Sequence, residues 1–161
     1  MLDSLALRID DRSDQISVLE QLLTDRRVSE DQRPEGRPVA SGWLSSYYGK
    51  RSDPFSGKKR FHGGSEFAGN EGSDGLAVAA GVVTWSGERQ GYGTLVEVSH
   101  GNGLVTRYAH NQANLVEVGE TVKKGQKIAL MGRSGRATGP HVHFEVLKEG
   151  RRVNPLKFVQ R

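Results

Sequence analysis

From Trp43 onward the chain is a succession of short β-rich runs cut apart by glycine-bearing turn signals, with no helical period between them. The runs are LAVAAGVVTWSG (76–87), GTLVEVSH (93–100), GLVTRYAH (103–110), ANLVEV (113–118), KIALMG (127–132) and HVHFEVL (141–147). Between them stand GERQGYG, HGNG, GETVKKGQ and GRSGRATGP, rich in the residues that tight turns favour. Strands spaced this closely pair with antiparallel neighbours, because a parallel connection needs a crossover of about a dozen residues or more. The expected fold is therefore mainly β, a small antiparallel sheet or sandwich over residues 43–161. SHGNG between two alternating runs predicts a hairpin turn, and NPLKFV near the end reads as a closing segment.

Ahead of this texture the pattern is different. Leu2, Leu5, Ile9, Ile16, Leu19 and Leu23 follow alternating three- and four-residue steps, with Arg12 interrupting the seam. That is the a/d repeat of an amphipathic helix over 1–29. Packing on the domain is one reading. A coiled-coil fragment is the other, and three heptads alone would then need a partner or self-association. EDQRPEGRPVASG (30–42), with two prolines and two glycines, reads as a linker.

Composition removes several alternatives. No apolar run approaches the length of a membrane-spanning helix, and MLDSLALRID lacks the basic start and cleavage site of a signal peptide. With no cysteine, disulfides and thiolate zinc sites are excluded, so a zinc site must use histidine and carboxylate. The net charge of +4 is spread along the chain, with GKKR (57–60) its densest cluster and no groove-reading motif beside it. Nucleic acid is not an expected partner.

The five histidines carry the chemistry. In GPHVHFEV (139–146), His141 and His143 are two apart in a strand and project to one face, with Val142 and Phe144 on the other. His62 precedes Glu66 by four residues in FHGGSEFAG, and His110 ends a strand in TRYAH. Either these are solvated polar residues, or they form a hydrolytic zinc site. Such a site needs two histidines and a carboxylate on the metal, with further imidazoles to move a proton and support an oxyanion.

The quoted motifs taken together are more specific than any one of them. The stretch from about Ser45 to Val159 resembles the M23 (LytM-type, lysostaphin-like) peptidase domain. It carries an HxGxD-like element, YAH, VKKGQKIALMGRSGRATGPH and the terminal HVHFE. The resemblance implies a small antiparallel β fold whose groove holds one zinc ion and binds cell-wall peptide. It implies His62, Glu66 and His143 as metal ligands, and His141 as general base. His110 becomes the other catalytic histidine, supporting the oxyanion and orienting substrate.

The family usually has aspartate where this chain has Glu66. His100 falls in the turn motif, receives no role and is expected to be solvated. Tyr47 and Tyr48 are candidate groove residues, as are Ser134 and Thr138 in the loop before the histidine strand. The implied activity is zinc-dependent cleavage of peptidoglycan peptide cross-links, outside the cytoplasm and most naturally in the periplasm. The alternative is a degenerate module that binds the wall or activates a cell-wall amidase, with that amidase or a divisome or envelope protein as partner.

Overall fold

The computed structural model describes residues 12–23, 30–53 and 55–159. It divides into two compact units, Met1–Asp31 and Gln32–Arg161. In the first, residues 12–23 are helical, with Ile16, Leu19 and Leu23 exposed. Leu2, Leu5 and Ile9 lie outside the described residues, as does 24–29.

The second unit holds the strands, in chain order β1 Trp43–Ser46, β2 Gly49–Ser52, β3 Lys59–His62, β4 Ser65–Ala68, β5 Asp74–Leu76, β6 Gly81–Arg89, β7 Gly93–Gly101, β8 Leu104–Asn114, β9 Thr121–Val122, β10 Lys127–Met131, β11 His141–Lys148 and β12 Arg151–Val153. The main sheet runs β1-β4-β11-β8-β7-β6-β9, with β10 joining β5 and β8, and β12 flanking β11. Strands β2 and β3 form a separate hairpin. All pairings are antiparallel, as the turn spacing predicts. The hairpin at SHGNG is present: Gly101 faces Leu104, and both Asn102 and Gly103 have positive φ.

Period-two alternation places the core on one face of β11. Val142, Phe144 and Val146 pack there with Phe67, Val96, Val98 and Tyr108. Each such large apolar side chain stabilises the fold by roughly 1.5–3 kcal/mol through burial. His141, His143 and Glu145 take the opposite face.

Three expectations change. ANLVEV is not a strand of its own: β8 runs on to Asn114, and Leu115 and Val118 are exposed beyond it. The stretch read as a linker is packed in its second half, where Val39 bridges Gly75 and joins the core, because Pro38 O and Ala40 N hydrogen-bond to the β5 backbone. His100 is not solvated; it is 2% exposed. It continues the inward row of Val96 and Val98 on β7, donates from Nδ1 to Ala80 O at 2.7 Å, and meets Thr106 Oγ1 through Nε2 at 2.7 Å. Burial lowers its pKa, so it stays neutral among these partners.

Candidate metal centre

The register of β4 against β11 assembles the centre. Glu66 lies opposite His143, and Ala68 opposite His141. His62 enters from the end of β3, and the close approach depends on Gly64. A Cβ there would lie 2.5 Å from Phe144 O and 3.0 Å from the His143 ring. Only glycine lets the HGGSE turn lie flat on β11.

His62 donates from Nδ1 to Tyr47 O at 2.8 Å, which leaves the Nε2 lone pair facing inward. His143 does the reverse: Nε2 donates to Glu145 Oε1 at 3.0 Å and Nδ1 faces inward. The inward atoms then converge. His62 Nε2 is 3.3 Å from His143 Nδ1 and 3.4 Å from Glu66 Oε1, and His143 Nδ1 is 3.9 Å from that oxygen.

Donors around a tetrahedral zinc with bonds near 2.1 Å are about 3.4 Å apart. The set is all nitrogen and oxygen, with both histidine tautomers fixed by outer partners, and it fits a zinc ion. His141 adds an independent sign. Its Nδ1 donates to Gly139 O at 2.7 Å, while Nε2 is buried, has no hydrogen-bond partner and lies 3.7 Å from Glu66 Oε1. A basic nitrogen left bare beside the three donors is placed to accept a proton.

His110 reaches the same face by a backbone irregularity. Between Val96 and Thr94 the register steps, so Ala109 and His110 oppose the single residue Leu95. His110 sits there at φ 64°, a conformation costly for a non-glycine residue. Simple alternation would aim it into the core with Thr106 and Tyr108; the bulge turns it out beside His141, ring centroids 4.9 Å apart. Nδ1 donates to Ser134 O at 2.6 Å. Burial, with His141 nearby, pulls its pKa down to about 4 against the pull of that bond, so the ring is neutral at pH 7.

These side chains line one cleft of about 590 Å³. The sequence from Arg60 to Pro155 matches the family model described as Peptidase family M23. The chain belongs to peptidase family M23. Over 119 residues this M23 chain is 39% identical to the DD-carboxypeptidase/endopeptidase Mpg of Neisseria meningitidis, covering 74% of its own length and 27% of that protein. It is 36% identical over 120 residues to the murein hydrolase activator NlpD of Escherichia coli, covering 74% and 31%. A solved zinc-containing peptidase from Vibrio cholerae superposes with a TM-score of 0.63 at 36% identity, covering 77% of this chain and 38% of that one. The chain thus spans under a third of these two curated relatives.

Of the residues singled out in the M23 sequence, His62, Glu66, His110, His141 and His143 come together, and Thr138 lines the cleft. Tyr47, Tyr48 and Ser134 do not line it. Tyr47 contributes its backbone oxygen to His62. Tyr48 stacks edge-on against Phe61 and donates to Arg152 O at 3.3 Å. Ser134 turns its hydroxyl inward, donating to Asn111 O at 2.7 Å and accepting from Thr94 N at 3.1 Å.

The sequence reading missed Glu145, which is 1% exposed. It holds His143 and is itself bound by Tyr92 Oη at 3.2 Å and Arg107 Nη1 at 3.3 Å. Burial raises its pKa, but His143 first and then Arg107 and Arg152 outweigh that, leaving it below the usual range. The only signal was its position two beyond His143 on the same strand face.

Proposed function

We propose that this chain is a zinc-dependent endopeptidase that hydrolyses peptide cross-links of bacterial peptidoglycan, working outside the cytoplasm, in the periplasm. The observation that carries the reading is the convergence of His62 Nε2, Glu66 Oε1 and His143 Nδ1 beside the bare Nε2 of His141. His62, Glu66 and His143 would hold the metal. When bound, zinc supplies the Lewis acidity that polarises a scissile carbonyl and lets water ionise near pH 7.

The remaining steps belong to the protein. His141, its tautomer set by Gly139 O, takes the attacking water's proton at Nε2 and returns it to the leaving amine. His110, with its proton held on Nδ1 by Ser134 O, offers Nε2 as an acceptor suited to orienting a substrate N–H. Supporting an oxyanion, the role the resemblance implies for it, requires Nε2 first to take up a proton from solvent, which negative charge developing beside it favours. Glu145 keeps the His143 ring fixed while this happens.

The test is a digest of purified cross-linked peptidoglycan by the zinc-loaded chain, with and without chelator, beside His141→Ala. Cross-linked dimers are expected to give way to monomers, chelator to block this, and His141→Ala to keep its zinc and lose cleavage. Unchanged turnover by His141→Ala would overturn the assignment of the base. The similarity to an activator, together with Glu66 at the usual aspartate position, supports a second reading as a non-catalytic module that binds the wall or stimulates an amidase. A folded, zinc-loaded chain that leaves every cross-link intact but speeds an added amidase would establish that one.

A further inference from the structure

Beyond the metal centre, the cleft has an uneven charge. Arg60, Arg136 and Arg152 all line it with side chains 59%, 49% and 47% exposed. The carboxylates sharing the cleft are committed. Glu66 belongs to the metal centre, and Glu145 is sealed among His143, Tyr92 and Arg107 and is also ion-paired with Arg152 at 3.7 Å. Asp53 is buried; it accepts from Phe55 N at 2.8 Å and from Arg136 Nη2 at 3.0 Å, and it forms an ion pair with Arg60, whose Nε lies 3.3 Å away.

Asp53 therefore acts as a clamp. It draws together Arg60 from β3 and Arg136 from the loop before β11, two segments far apart in sequence. Arg60 uses only Nε on it and Arg136 only Nη2. Among the described residues, nothing else binds the remaining N–H groups of either fork, which leaves them for a ligand. The Arg136 guanidinium also lies 4.7 Å over the Phe55 ring, which fixes its plane. Arg152 lies across Gly63, where a Cβ would collide with its guanidinium, and so brings a third positive charge next to His62. Two arginines against one aspartate leave a single net positive charge, which suits a monocarboxylate better than a phosphate dianion.

We infer that Arg60 and Arg136, preset by Asp53, form a carboxylate-binding subsite, so that the cleft selects peptides bearing a free carboxylate close to the bond presented to the metal centre. The inference rests on reading the cleft as a peptide site. It adds the chemical class of the peptide, anionic rather than amidated, and assigns Asp53 as the positioning residue.

The test uses a cross-linked muropeptide dimer and the same dimer with its carboxylates converted to carboxamides. Binding to the full chain is measured by titration in the absence of zinc, where turnover does not interfere, and cleavage is measured with zinc. The wild type is expected to bind the acid form about tenfold more tightly than the amide, the scale of one charge-assisted hydrogen-bonded pair. Arg136→Gln and Arg60→Gln are each expected to lose most of that preference, and Arg136→Lys to recover part of it.

Because the decisive change is in the peptide, a misfolded variant cannot produce the wild-type preference. Equal binding of acid and amide by the wild type overturns the inference, as does a preference that survives intact in both glutamine variants. Cleavage of both peptides at equal efficiency sinks this subsite while leaving the endopeptidase reading standing. A binding preference without cleavage of either peptide does the opposite.

Discussion

At the scale of single residues, the centre depends on a buried carboxylate at the floor of the cleft. Glu145 fixes which nitrogen of His143 carries the proton, and it binds Tyr92 and, together with Glu97, Arg107 behind the site. Glu145→Gln keeps the size and an acceptor oxygen but removes the charge. Zinc affinity is expected to fall by about 10- to 100-fold, the usual cost of losing an outer partner of a metal-bound histidine. Competition against a chromophoric chelator measures it, and an unchanged affinity would show that Glu145 does not set the ring. The four site histidines and Glu66 were legible because they sit in recognisable spacings. Glu145 looked like any acid alternating with core residues, since the groups that bury it come from β8 and the turn before β7. Glu66 reaches the histidines with its extra methylene: its Oε1 lies 3.4 Å from His62 Nε2.

At the scale of elements, the informative departures are those that break alternation. Strand β11 obeyed it, so the shared face of His141 and His143 could be read directly from spacing. Strand β8 did not: the bulge at Ala109–His110 inverts the facing of one residue, and a period-two reading cannot anticipate that. The loop that receives His110 is held by close backbone contact. Gly93 has φ 65°, and a Cβ on it would lie 2.5 Å from the Ser134 carbonyl carbon and 2.6 Å from Gly135 N. Gly93→Ala must therefore strain the left-handed backbone and push away the loop carrying Ser134, Arg136 and Thr138. The expected loss of stability is about 2 kcal/mol or more, from backbone strain and overpacking together, read by denaturant unfolding. A weaker grip on His110 should accompany it as a reduced turnover in the peptidoglycan digest. An alanine variant that unfolds like the wild type would mean the contact is looser than it looks.

At the scale of the whole molecule, the two units differ in what holds them. Every residue of the hydrophobic core cluster lies between Val39 and Val159, inside the second unit. The strands and turns that make this unit were legible from Trp43 on, whereas its true start was hidden because a polar, proline-bearing stretch gives no sign that Val39 will be buried. The helix of the first unit is the reverse case: its repeat is plain in the sequence, but the described turns bury none of it. Among the described residues of this helix, Ile16, Leu19 and Leu23 are exposed, and an apolar a/d face of this kind calls for a partner surface. A second copy satisfies the a/d repeat without any new sequence. The full chain is then expected to sediment as a dimer, and residues 32–161 alone as a monomer. The shortened chain should also melt within about 2 °C of the full one, because no member of its core has been removed. A monomeric full chain would exclude self-association through the helix, and a large fall in melting temperature would show that the second unit leans on the first.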